Sequence, residues 1–297
     1  MTALIGTCSW KYDSWRGLVY PPGKDTLNYL AEYARHYDTV EIDQWFWSLF
    51  GVDKNKVKLP ETKTVEEYLH AVPKNFQFTI KVPNSITLSH FYTRGKIKNN
   101  AGEPNPYFFS VELFNEFLKS IEPLREQIGA LIFQFEYLNR CKMPSQVEFL
   151  NRFGRFISDC PGNYPYAVEI RNPNYLNEPY FKFLNGHHLA HVFVQGYYMP
   201  SIVDVYRKNS NDIRDLALIR LMGTDRGGIE IKADNLWISI LDNKDHELPD
   251  IVTFIRDLEK RNIKVFVNVN NHYEGCAPLT IKKIQELLKN NQLICYD

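Results

Sequence analysis

Eight short runs rich in apolar and β-branched residues recur along this chain, and most are followed by a segment with helical spacing. The runs are Ala3–Cys8, Thr39–Ile42, Asn75–Val82, Gly129–Phe135, Tyr166–Arg171, His191–Gln195, Leu216–Met222 and Lys264–Val269. The spacing predicts helices from Asp25 or Thr26 to about Tyr37, near Thr64–Ala71, and from a Ser110 cap to about Gln127. Further helices are expected after Ser145, near Glu178–Leu184, over Asp250–Lys260 behind Pro249, and over Pro278–Lys289. Strands alternating with helices over 297 residues match an α/β fold, a TIM (β/α)8 barrel with irregularities, as a single domain spanning residues 1–297. An open doubly wound sheet competes, but it requires a glycine-rich phosphate loop, and the chain has no GxGxxG or Walker motif. Two connections, 83–109 and 196–215, have the length of lids or binding loops.

A charge pattern inside these runs points to a site. Thr39-Val40-Glu41-Ile42 and Ala167-Val168-Glu169-Ile170-Arg171 place carboxylates in otherwise apolar strands. Lys81, Gln134 and Arg220 do the same in other runs. Successive side chains on a strand point to opposite faces, so each polar residue shares a face that its apolar neighbours avoid. Strands of a parallel sheet are normally apolar on both faces, and burying an unpaired charge is costly. A shared polar interior at the carboxyl ends of the strands is expected, which is where active sites lie in such barrels. Lys81, Arg171 and Arg220 stand there against Glu41 and Glu169, joined by Gly223, Asn270 and Asn271. One reading is a structural ion network. The other is a site for an anion, with Arg171 and Arg220 as forks, Glu41 or Glu169 as proton acceptor and Lys81 as acid or nucleophile. Among aromatic residues near the same end, Trp10 and Trp45 are the candidates for ligand contact.

Composition excludes several classes. The 35 basic and 35 acidic residues cancel, so nothing global favours nucleic acid or an acidic membrane surface. The five cysteines are scattered without a CxxC, which argues against a disulfide framework or zinc knuckle and fits a cytoplasmic protein. No apolar run approaches a membrane span, and Ala3-Leu4-Ile5-Gly6 enters a strand at once rather than a signal peptide. No metal and no cofactor are expected, because three cations beside two carboxylates repel a divalent ion. His187, His188 and His191 are placed before strand six, at the opposite end. Cys8 is read as a small buried thiol, and Arg94, Lys96 and Lys98 as a solvated charged loop.

The motifs taken together resemble the YecE-like family of uncharacterised TIM-barrel proteins. The resemblance covers nearly the whole chain. It rests on Gly6-Thr7-Cys8-Ser9-Trp10, Trp15-Arg16-Gly17, Tyr20-Pro21, Tyr33-Ala34, Thr39 to Ile42, Phe76 to Pro83, Ile86-Thr87, Leu131 to Phe135, Ala167 to Arg171, Arg220-Leu221 with Gly223, and Asn270-Asn271. The resemblance implies a TIM barrel and no established reaction, the family having been likened by fold to endonuclease-type and sugar-isomerase-type barrels. Met222, Gln195 and His272 depart from a family pattern of His, Asp and Asp at those places. These readings converge on a small anionic ligand at the barrel mouth, with acid/base or hydrolytic chemistry. An endonuclease-like phosphodiesterase or repair role, and a non-catalytic binding protein, are the alternatives. The oligomeric state is not legible.

Overall fold

In the computed structural model the described residues are 2–23, 26–49, 56–92 and 102–293. Eight parallel strands follow one another in chain order as a closed barrel: β1 (Leu4–Thr7), β2 (Thr39–Ile42), β3 (Gln77–Lys81), β4 (Ile128–Phe135), β5 (Tyr166–Ile170), β6 (Ala190–Gly196), β7 (Leu216–Gly223) and β8 (Lys264–Val269). The helices are α1 (Tyr29–Tyr33), α2 (Thr62–Ala71), α3 (Asn84–Thr87), α4 (Val111–Ser120), α5 (Gln146–Ser158), α6 (Glu178–Gly186), α7 (Ile202–Asn209), α8 (Arg226–Ala233), α9 (Leu248–Lys260), α10 (Asn271–Glu274) and α11 (Ala277–Leu293). The α/β barrel expected from the alternation is the fold observed.

Several boundaries differ from the sequence reading, each for a local reason. The helix expected to reach Tyr37 is only α1, capped by Asn28, whose Oδ1 accepts from Ala31 N at 3.1 Å; Asp25 lies outside the described residues. The helix expected to reach Gln127 ends at Ser120 and resumes as a 3-10 segment, Glu122–Gln127. Pro123 accounts for the break, since it lacks an N–H and crowds the carbonyl four residues back. Within the 196–215 connection, expected as a loop, α7 buries Ile202, Val203, Val205 and Tyr206. α8 was hidden by Gly227-Gly228 and starts from an Asp225 cap, Oδ1 accepting from Gly228 N at 2.9 Å. The sixth strand begins one residue before the run His191–Gln195, at Ala190, and holds His191. Arg94, Lys96 and Lys98 lie outside the described residues.

The chain divides into two compact units. In the unit of residues 42–70 and 78–191, β3, β4 and β5 present one face to an aromatic layer. Phe133 lies 5.3 Å from Phe114 of α4 and 5.6 Å from Phe153 of α5, and Phe135 lies 4.9 Å from Phe149. These rings bury large apolar areas in tilted and edge-on pairs, which fixes the face that α4 and α5 cover. In the other unit, residues 1–41, 71–77 and 192–297, β7 pairs with β8 and β8 with β1. There the backbone and side chain of the buried Glu274 hold a loop: its carbonyl accepts from Leu241 N and Asp242 N, and its Oε1 from Lys244 N at 2.9 Å.

Candidate functional site

Strand register decides which way the ionic residues point. Lys81 pairs with Ile132, Ile132 with Ala167, and Gln134 with Glu169. Partners across a parallel ladder share a face, and so do residues two apart on one strand. Lys81, Gln134 and Glu169 therefore project from one face of β3–β5. It is the face opposite Phe133 and Phe135, turned away from α4 and α5. Lys81 is buried and its Nζ lies 4.0 Å from the centroid of the Phe46 ring, a cation–π contact. Arg171 follows the end of β5 and turns to the same side, donating from Nε to Glu169 Oε1 at 2.6 Å, with a second ion-pair contact from Nη2. Glu169 is fully buried and Arg171 only partly exposed. These four residues share one face of adjacent strands.

Glu41 and Arg220 form an ion pair in the unit that holds β7, β8 and β1. Arg220 donates from Nε to Glu41 Oε2 at 2.8 Å and from Nη2 to Oε1 at 2.7 Å, and Asn268 Nδ2 donates to Oε2 at 3.1 Å. Glu41 and Asn268 are fully buried and Arg220 is 2% exposed. Gly6, paired with Asn268, brings β1 close against the backbone of β2. A Cβ at Gly6 would lie 2.0 Å from the Thr39 carbonyl oxygen.

The remaining predicted residues have identifiable contacts. Trp10 is buried, and its carbonyl accepts from the Tyr20 hydroxyl. Trp45 is buried and stacks on Tyr68 at 5.6 Å. Gly223 has φ +74°, and the place of its missing Cβ lies 2.2 Å from the His272 carbonyl oxygen, so its smallness admits backbone. Asn270 caps α10, Oδ1 accepting from His272 N at 2.9 Å, and Asn271 Oδ1 accepts from Ala277 N at 2.8 Å. His272 Nε2 lies 3.1 Å from Glu230 Oε1, and burial, then the Arg226 charge, hold its pKa below the ordinary value. Among the described residues no group of three His, Cys, Asp or Glu is placed to hold a metal. No described helix is long and apolar enough to cross a membrane.

Sequence reasoning missed Tyr137, Arg140, Asn172 and Asn174, which lie in the loops after β4 and β5. The rule that sites collect just past strand ends would have found them, had it been applied beyond the strands themselves.

Comparison with known proteins places the chain in context. A family model described as "Protein of unknown function DUF72" matches residues 4–295. The UPF0759 protein YunF of Bacillus subtilis is 24% identical over 96% of this chain and 94% of its own length. The UPF0759 protein YecE of Escherichia coli is 25% identical over 58% of this chain and 49% of its own length. Among solved structures, a DUF72 family protein from Thermotoga maritima superposes with a TM-score of 0.67 at 20% identity, covering 97% of this chain and 100% of that one. One from Enterococcus faecalis gives 0.69 at 22% identity, covering 97% and 96%. At these identities the structural likeness speaks for the fold.

Proposed function

This chain belongs to the DUF72 family of proteins of unknown function, and we propose that it binds a small phosphorylated or carboxylated molecule on the face of β3–β5 turned away from α4 and α5. The observation that carries the reading is the shared placement of Lys81, Glu169 and Arg171, two cations and one carboxylate, in largely buried positions on one side of adjacent strands. A buried ammonium and a guanidinium fork on one face are groups whose chemistry suits an anion. Arg171 supplies a planar fork, Lys81 a point charge and Gln134 an amide. In this reading Glu169 accepts a proton and Lys81 donates one. Two cations beside the carboxylate oppose a divalent metal. Glu41, held by Arg220 and Asn268, braces its own strands. The exposed thiol of Cys141 suits a reducing compartment, so a cytoplasmic location goes with the proposal.

Calorimetric titration with inorganic phosphate tests the binding. The unmodified protein is expected to bind, and Arg171→Lys, which keeps a cation beside the buried Glu169 but loses the planar fork, to lose at least tenfold in affinity while its thermal midpoint stays within a few degrees. A variant that merely unfolds makes the cluster a structural network and overturns the reading. A second reading, ligand binding without turnover, is favoured by the engagement of Glu169 Oε1 by the Arg171 guanidinium. Incubation of the protein with a metabolite extract separates the two: consumption of any component supports catalysis, and none supports a binding protein.

A further inference from the structure

The loops that follow β4 and β5 enclose a cavity of about 470 Å³, within the range of small-molecule sites. It stands over the start of α5. Ser145, in its wall, caps that helix with Oγ accepting from Glu148 N at 3.1 Å, and Gln146 is the first helical residue. Tyr175, also in the wall, lies 6.1 Å from Phe149 of α5. The cavity therefore belongs to the helix side of the sheet and not to the face that carries Lys81 and Arg171. Its frame is locked from within. Asn172, 2% exposed, accepts from Leu138 N at 2.8 Å and donates to Leu138 O at 3.0 Å, clamping one loop to the other. Gln146 and Asn177 exchange hydrogen bonds of 2.9 and 2.8 Å, and Gln146 also donates to Tyr175 O at 2.9 Å. A shape held in this way is preorganised, which lowers the ordering cost of binding.

The chemistry of the wall selects a class of ligand. Carboxamides recur in it, and each offers two donors and an oxygen with two lone pairs. The frame does not use them all. Asn139 Oδ1 accepts from Cys141 N at 3.0 Å and from Lys142 N at 3.1 Å, which leaves its Nδ2 donors uncommitted among the described residues. The exposed Asn174 has its whole side-chain amide uncommitted among them. Arg140 is exposed and forms no ion pair or hydrogen bond among the described residues. Tyr137, 58% exposed, offers an aromatic ring at the rim. A wholly apolar ligand would strip water from these amides without replacing its hydrogen bonds, which is costly. A sugar ring brings hydroxyls for the amides and a C–H face for the tyrosine, and a guanidinium without an acid suits an anionic substituent.

We infer that this cavity is a second binding site, separate from the β3–β5 face, for a sugar of hexose size bearing one anionic group. The ring lies on Tyr137, hydroxyls meet the carboxamides of Asn139 and Asn174, and Arg140 holds the phosphate or carboxylate. The site does not depend on the anion-binding reading of the β3–β5 face.

Titration calorimetry with glucose 6-phosphate, glucuronate and glucose tests it. One of the two charged sugars is expected to bind the unmodified protein at least tenfold more tightly than glucose does. That affinity is expected to persist in Arg171→Lys, to fall at least tenfold in Arg140→Gln and to fall at least fivefold in Tyr137→Ala. Arg140 and Tyr137 are exposed, so their variants should fold as the unmodified protein does, which circular dichroism checks. Which charged sugar binds tells a phosphate from a carboxylate ligand. If neither binds more tightly than glucose, or if Arg140→Gln leaves the affinity unmoved, the inference is overturned. An affinity lost in Arg171→Lys and kept in Arg140→Gln puts the sugar on the β3–β5 face, which overturns the inference and leaves the anion site standing.

Discussion

His191 carries its imidazole into the layer between β6 and α6, where the ring lies 5.1 Å from that of Phe181 and Nδ1 is 3.1 Å from the Tyr180 hydroxyl. Burial disfavours the charged ring and pushes its pKa down to about 3, against an opposing pull from the Glu169 charge. In the unfolded chain the same ring takes up its proton near pH 6.5. Between that value and about pH 3 the unfolded state holds one more proton than the folded state, so stability falls as pH is lowered through this window. The slope is about 1.4 kcal/mol per pH unit, and the full loss is on the order of 5 kcal/mol. His191→Asn removes the titrating ring. Urea-unfolding free energies measured between pH 6 and pH 4 should fall less steeply in the variant by about that slope. Parallel profiles for the two proteins would mean that the ring does not stay neutral.

Side chains of this kind show what sequence conveys about elements and what it withholds. The alternation of polar and apolar residues in Phe76 to Val82 and Ala167 to Arg171 was enough to assign Lys81 and Glu169 to the face away from the helices, because strand geometry has a period of two. The same logic could not tell that Arg220 would be held by Glu41 at two atoms of its fork, since the pairing joins strands 179 residues apart in sequence. Nor could it find α7, whose apolar positions sit between turn-like residues, or the break of α4 before Pro123. Gly6→Ala tests the strand-level account. The added methyl meets the Thr39 carbonyl, and overpacking of this kind costs roughly 1–3 kcal/mol or more. Glu41→Ala leaves a buried guanidinium without its acid, with a loss of roughly 3–5 kcal/mol. Chemical denaturation of the two variants measures both. A Gly6→Ala protein as stable as the unmodified one would show that β1 and β2 are not packed as closely as described.

At the scale of the whole molecule, the barrel was legible because eight strand runs and their intervening helices leave few other architectures for a chain without a phosphate-loop motif. Its chemistry was less so. Ion pairs that brace strands and ions that hold a ligand come from the same residue types at the same strand ends, and only their partners separate Glu41 with Arg220 from Lys81 with Arg171. Loop residues such as Tyr137 and Arg140 carry no periodicity to betray them. The central claim is that the β3–β5 face receives an anion, and diffraction from crystals of the protein equilibrated with selenate tests it most directly. The account predicts an anomalous selenium peak within hydrogen-bonding distance of Lys81 Nζ and the Arg171 guanidinium, absent from Arg171→Ala crystals treated in the same way. Well-ordered Lys81 and Arg171 side chains with no selenium between them at saturating selenate would contradict it.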